Sequence, residues 1–175
     1  MSILTDAIRK QFKEGDDIRD EGLTTPDTVQ RFDNILYGDD PEWNTMDLYI
    51  PKEEKEKLPI IISFHGGGWV YGDKERYQYY CMSLAERGFA VINFTYRLAP
   101  EFKHPAPLED MNQVAHWIMN HAKDYFLDTE HIYGVGDSAG AHLLVLYTSI
   151  LTNKEYASTY DFKVPEVFQF NALAL

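Results

Sequence analysis

Apolar positions along this chain change spacing again and again, and each change marks an element. Ile3, Leu4, Ala7, Ile8 and Phe12 recur at helical spacing, which predicts a short amphipathic helix over residues 3–14, ended by the charged run from Glu14 to Gly22. Arg31 to Tyr37 and Asn44 to Ile50 read as two strands joined by the turn-forming Gly38-Asp39-Asp40-Pro41, hence an antiparallel hairpin. A mixed-charge loop, residues 51–57, then leads into Leu58 to Phe64, a continuously apolar run of the kind buried on both faces of a sheet. Residues 75–87 read as a helix stopped at Gly88, and Phe89 to Tyr96 as a strand. Leu108, Met111, Val114, Ala115, Ile118, Ala122 and Tyr125 give one apolar stripe on a helix over 107–125. A short strand at Ile132, an apolar helix from Ala141 and a last strand over 167–175 complete the series. Strand and helix alternate, which predicts a mostly parallel, doubly wound α/β sheet behind an antiparallel leading hairpin.

Two of the strand ends carry unusual residues. Gly136-Asp137-Ser138-Ala139-Gly140 fits G-x-S-x-G, where a serine sits on a sharp strand-to-helix turn. The spacing has a steric cause: such a turn leaves no room for a β-carbon two residues to either side of the serine. The following helix also presents free backbone N–H groups beside the hydroxyl. The buried strand at 58–64 ends in His65-Gly66-Gly67-Gly68-Trp69, and three glycines in succession let backbone N–H groups approach a ligand closely. Tyr96-Arg97-Leu98-Ala99-Pro100-Glu101 and Pro105-Ala106-Pro107-Leu108-Glu109-Asp110 follow.

In this order and spacing the three motifs resemble the hormone-sensitive-lipase-like esterases and lipases of the α/β-hydrolase fold, over residues 32–175. The resemblance implies that Ser138 attacks the carbonyl of a small-molecule ester, and that the N–H groups of Gly67, Gly68 and Ala139 hold the oxyanion, with Gly66 as an alternative to one of the first two. His65 reads as a structural residue. Asp137 either orients groups or caps the elbow helix, capping being favoured, and Trp69 either lines an acyl pocket or packs under its loop, packing being favoured. Residues 1–30 read as a helical arm or part of a cap, and residues 31–175 as the core domain.

The family's chain order is serine, then acid, then histidine, yet His142 is the only histidine after Ser138 and lies on the elbow helix. The reading is therefore of an incomplete hydrolase core, ending in the strand after the elbow helix and lacking on the order of 100 residues, given βαβ units of 30 or more residues. Such a chain is expected to be nearly inert, and to associate through its terminal strand with its missing half or with another copy. An amidase or formamidase on the same scaffold, and a non-catalytic binding protein, are the alternatives.

Composition removes other classes. The 175 residues are 45% hydrophobic and 14% aromatic, enough for a packed core, while a net charge of −12 argues against nucleic acid or an anionic membrane as a partner. The single cysteine, Cys81, allows no intrachain disulfide and reads as a small buried hydrophobe. No leader-like or membrane-spanning apolar run is present, giving an expectation of a cytoplasmic location, and no motif implies a metal or cofactor.

Overall fold

The computed structural model describes residues 3–53 and 56–175. Helix α1 (Ile3–Asp20) leads to β1 (Val29–Leu36) and β2 (Thr45–Pro51). Then come β3 (Leu58–Phe64), α2 (Lys74–Ala85), β4 (Ala90–Phe94), α3 (Ala106–His121), β5 (Leu127–Gly136), α4 (Ala139–Thr152), the short α5 (Lys154–Ala157) and β6 (Ala172–Ala174). The sheet order is β1-β2-β4-β3-β5-β6. The pairs β1/β2 and β2/β4 are antiparallel, and β4/β3, β3/β5 and β5/β6 are parallel; the β1/β2 hairpin and the parallel pairs agree with the sequence expectation, which did not include the β2/β4 pairing.

The parallel strands send alternate side chains to two cores. Ile60, Ile62 and Phe64 of β3 join Ala90, Ile92 and Phe94 of β4 in the larger core, beneath Leu108, Met111 and Ile118 of α3 and Leu144 and Tyr147 of α4. Ile61 and Val91 point the other way, into a smaller core with Cys81, Met82 and Ala85 of α2. Cys81 is fully buried as expected, and burial pushes its thiol up to about 12. Gly88 follows α2 at φ +92°, the left-handed conformation expected of a helix-ending glycine.

Several boundaries differ from the sequence expectation. Helix α1 continues through Gly15 to Asp20, because its last turn is held by polar contacts to the body rather than by an apolar stripe. Strand β5 begins five residues early, at Leu127, α3 stops at His121, and α4 begins at Ala139. The expected strand over 167–175 is only three residues long. Phe168 instead turns inward against Tyr147, and Asn171 fixes the start of β6 by accepting from Ile132 N (2.8 Å) and donating to Ile132 O (2.7 Å).

Candidate active site

The parallel register of β3 and β5 pairs Phe64 with Gly136. The chain segments leaving those two strands, His65-Gly66-Gly67-Gly68 and Asp137-Ser138, therefore emerge side by side at the carboxyl end of the sheet, the usual location of sites in parallel α/β folds. Ser138 takes φ 49° and ψ −115°, a conformation costly for a residue with a β-carbon, and is exposed. The tightness predicted on both sides is present. A β-carbon on Gly136 would come within 2.8 Å of Gly140 C, and one on Gly140 within 2.0 Å of Phe64 O.

Backbone donors of the two segments divide into used and unused. Gly66 N–H donates to the Tyr77 hydroxyl (3.0 Å), so it is already committed, which removes it as an alternative donor to an oxyanion. The N–H groups of Gly67, Gly68 and Ala139 have no hydrogen-bond partner among the described residues. Gly67 O accepts from both Val70 N (3.2 Å) and Tyr71 N (3.0 Å), which folds the glycine loop into a closed turn.

His65 lies wholly buried beneath this turn. Its Nδ1–H donates to Gly66 O (2.8 Å), and its ring stacks on Tyr96 at a centroid distance of 3.9 Å and 6° between planes. Tyr96 OH donates to His65 O (2.7 Å). Desolvation lowers the His65 pKa to about 4, outweighing Gly66 O and the more distant Asp137, so the ring is neutral. Tyr96 is thus the residue by which the third sequence motif supports the glycine loop. Its neighbour Arg97 secures that motif, donating to buried Asp110 through N and Nε (both 2.8 Å) and to Glu109 (2.8 Å).

Asp137 does not cap α4, contrary to the sequence expectation. No side chain caps that helix, and Asp137 Oδ1 instead accepts from Tyr77 OH (2.7 Å). Trp69 does not pack under its loop either: it is 45% exposed and meets His142 edge-on at 5.4 Å. These two rings border a mainly apolar pocket of about 370 Å³ with Phe102, Pro107, Leu143 and Leu146.

Two functional contacts left no sequence signal. Tyr77 is one of three tyrosines in α2, and nothing in the spacing distinguishes it from Tyr79 and Tyr80. Arg9, on α1, donates to Val70 O (2.7 Å), to Ala99 O (3.0 Å) and to both carboxylate oxygens of Glu101 (2.9 and 2.7 Å). It thereby ties the loop after the glycines to the loop after Arg97.

No histidine reaches Ser138 Oγ, which has no hydrogen bond among the described residues. His104 faces Tyr160, His116 bonds Lys163 O, and His121 and His131 bond Asp124 and Asp128. His142 faces Trp69. Among the described residues no group of three or more histidine, cysteine or acidic side chains is placed to hold a metal ion, and no helix is long and apolar enough to cross a membrane.

Known proteins are similar to this chain in sequence and in fold. The family model described as BD-FAE matches residues 46–173. The crystal structure of esterase B from Lactobacillus rhamnosis superposes with a TM-score of 0.90 at 30% identity, covering 97% of this chain and 54% of that one. This fold is that of the α/β-hydrolases. Similar curated proteins include an ethyl acetate hydrolase from Pseudomonas putida, 29% identical over 87% of this chain and 49% of its own length. A versiconal hemiacetal acetate esterase from Dothistroma septosporum is 38% identical over 55% of this chain and 30% of its own length. The match thus spans half or less of the length of these curated relatives.

Proposed function

The chain belongs to the BD-FAE family, and on that premise we propose that it carries the nucleophile and oxyanion site of a serine carboxylic-ester hydrolase acting on small acyl esters. The observation that carries this reading is the Phe64–Gly136 register, which sets a strained Ser138 beside three unused backbone donors. Ser138 Oγ would bond to the ester carbonyl carbon, giving up its proton to a base. The oxygen of the tetrahedral intermediate would accept from Gly67, Gly68 and Ala139 N–H; losing one such donor typically costs a factor of about 100 to 1,000 in rate. Expulsion of the alcohol would leave an acyl group on Ser138, which water then removes. Acetate-cleaving relatives support a short acyl group, and the pocket between Trp69 and His142 would receive its apolar end.

The base is the part that the described residues do not supply. His65 is buried with its Nδ1–H committed, and every other histidine faces elsewhere. Without a base to take the serine proton, turnover falls by about a millionfold in comparable enzymes. The 175-residue chain by itself is therefore expected to hydrolyse p-nitrophenyl acetate no faster than its Ser138→Ala variant. Ser138-dependent turnover by the unsupplemented chain would show that a base is present and would overturn that part of the proposal.

A further inference from the structure

We propose that Tyr77 is a positioning residue: through one hydroxyl it locks the glycine loop to the serine turn and so sets where the oxyanion donors stand, an inference that rests on the hydrolase reading above. The Tyr77 oxygen accepts from Gly66 N–H (3.0 Å) while its proton goes to Asp137 Oδ1 (2.7 Å). Gly66 directly precedes Gly67 and Gly68, and Asp137 directly precedes Ser138. A single phenol therefore bridges the two loops at the residue just before each functional group.

The residue types on either side make sense only for this bridge. A β-carbon at Gly66 would lie 2.5 Å from Asp137 Oδ2 and 3.1 Å from Tyr77 OH, so the first glycine of the run is the one that lets carboxylate and phenol close on the loop. Asp137 does not cap α4, which leaves the Tyr77 contact as the hydrogen bond its carboxylate makes. Burial, followed by the Asp137 hydrogen bond, raises the Tyr77 pKa, so the phenol keeps the proton that the bridge requires. Because Gly66 N–H is held by Tyr77, it does not compete with Gly67 and Gly68 for the oxyanion. The bridge thus selects which donors face the substrate as well as holding them.

The test is amide hydrogen exchange and ¹H–¹⁵N spectroscopy on the 175-residue chain, comparing wild type with Tyr77→Phe, Asp137→Ala and the control Tyr79→Phe. Tyr79 lies on the same helix but donates to Leu23 O, away from the loop. In Tyr77→Phe the Gly66 amide should exchange about fivefold faster, as expected for loss of a hydrogen bond worth about 1 kcal/mol. The Gly67, Gly68 and Ala139 resonances should shift while the amides of α2 and β3 stay as in wild type. Asp137→Ala should reproduce the loop shifts, and Tyr79→Phe should not. Loop amides unchanged in Tyr77→Phe would overturn the proposal, as would a uniform rise in exchange across α2 and β3, which marks a merely structural role. The measurement uses no turnover, so a failure of the hydrolase reading would show separately, as p-nitrophenyl acetate hydrolysis that stays independent of Ser138 even when imidazole is supplied as the base.

Discussion

Gly140 has Phe64 O 2.0 Å from where a β-carbon would sit, and that oxygen belongs to a central strand with nowhere to move. Gly140→Ala should therefore lower stability by about 3 kcal/mol, near the upper end for overpacking, read as a fall in the urea midpoint. This requirement was legible in the sequence because it is local: a serine turn between two glycines states its own sterics. Asp137 was not legible, since an acid before a helix is ordinarily a cap, and only the tertiary arrival of Tyr77 reassigns it. His65 gives a second prediction. Its folded pKa of about 4 lies below the ordinary 6.5, so between those values the unfolded chain binds the extra proton. The resulting stability is complete above pH 6.5 and is lost as pH falls towards 4, by on the order of 3 kcal/mol. Urea midpoints measured at pH 7 and pH 4.5 should differ less in His65→Asn than in wild type; an equal difference in both would remove His65 as the cause.

Among the elements, α1 shows where apolar periodicity fails as a guide. Ile3, Leu4 and Ile18 are 91%, 70% and 75% exposed, so the helix does not dock by burying its apolar residues. It is held by Arg9 on Val70, Ala99 and Glu101, by Asp16 on Tyr71 (2.8 Å) and by Asp17 on Arg76 (2.7 Å), with Phe12 tilted against Tyr71. Such contacts depend on partners some 55 to 92 residues away in sequence, which is why the pattern of residues 3–14 gave no sign of the last turn. Exposed charges are screened by salt, the Debye length falling from about 8 Å at 0.15 M to about 3 Å at 1 M. Raising NaCl to 1 M, or making Arg9→Ala, should therefore speed amide exchange in α1 severalfold and leave the β3 amides unchanged. Exchange in α1 that ignores both changes would mean that the helix is held by packing. Strand β6 fails for the opposite reason. The run at 167–175 predicted a strand along its whole length, but Phe168 turns into the core against Tyr147 and pairing with β5 begins only at Ala172.

In the molecule as a whole, the parallel character of the sheet and the hairpin that precedes it were legible in the sequence, whereas the order β1-β2-β4-β3-β5-β6 and the Phe64–Gly136 register that brings the glycine loop to the serine turn depend on pairings distant in sequence. In the proposed reading Ser138 is the nucleophile and the N–H groups of Gly67, Gly68 and Ala139 are the oxyanion donors, and the described residues bring to them no histidine that could take the proton of Ser138. β5 and β6 are joined by three residue pairs, and Leu175, which follows β6, stays exposed. If that reading holds, Ser138 should attack an ester once a base is supplied from solution. It is tested most directly by hydrolysis of p-nitrophenyl acetate by the chain and by Ser138→Ala across a series of imidazole concentrations, each corrected for imidazole alone. Equal rates are expected without imidazole and, as imidazole rises, an increasing excess in the chain that Ser138→Ala does not share. Equal rates in the two proteins at every imidazole concentration would contradict it.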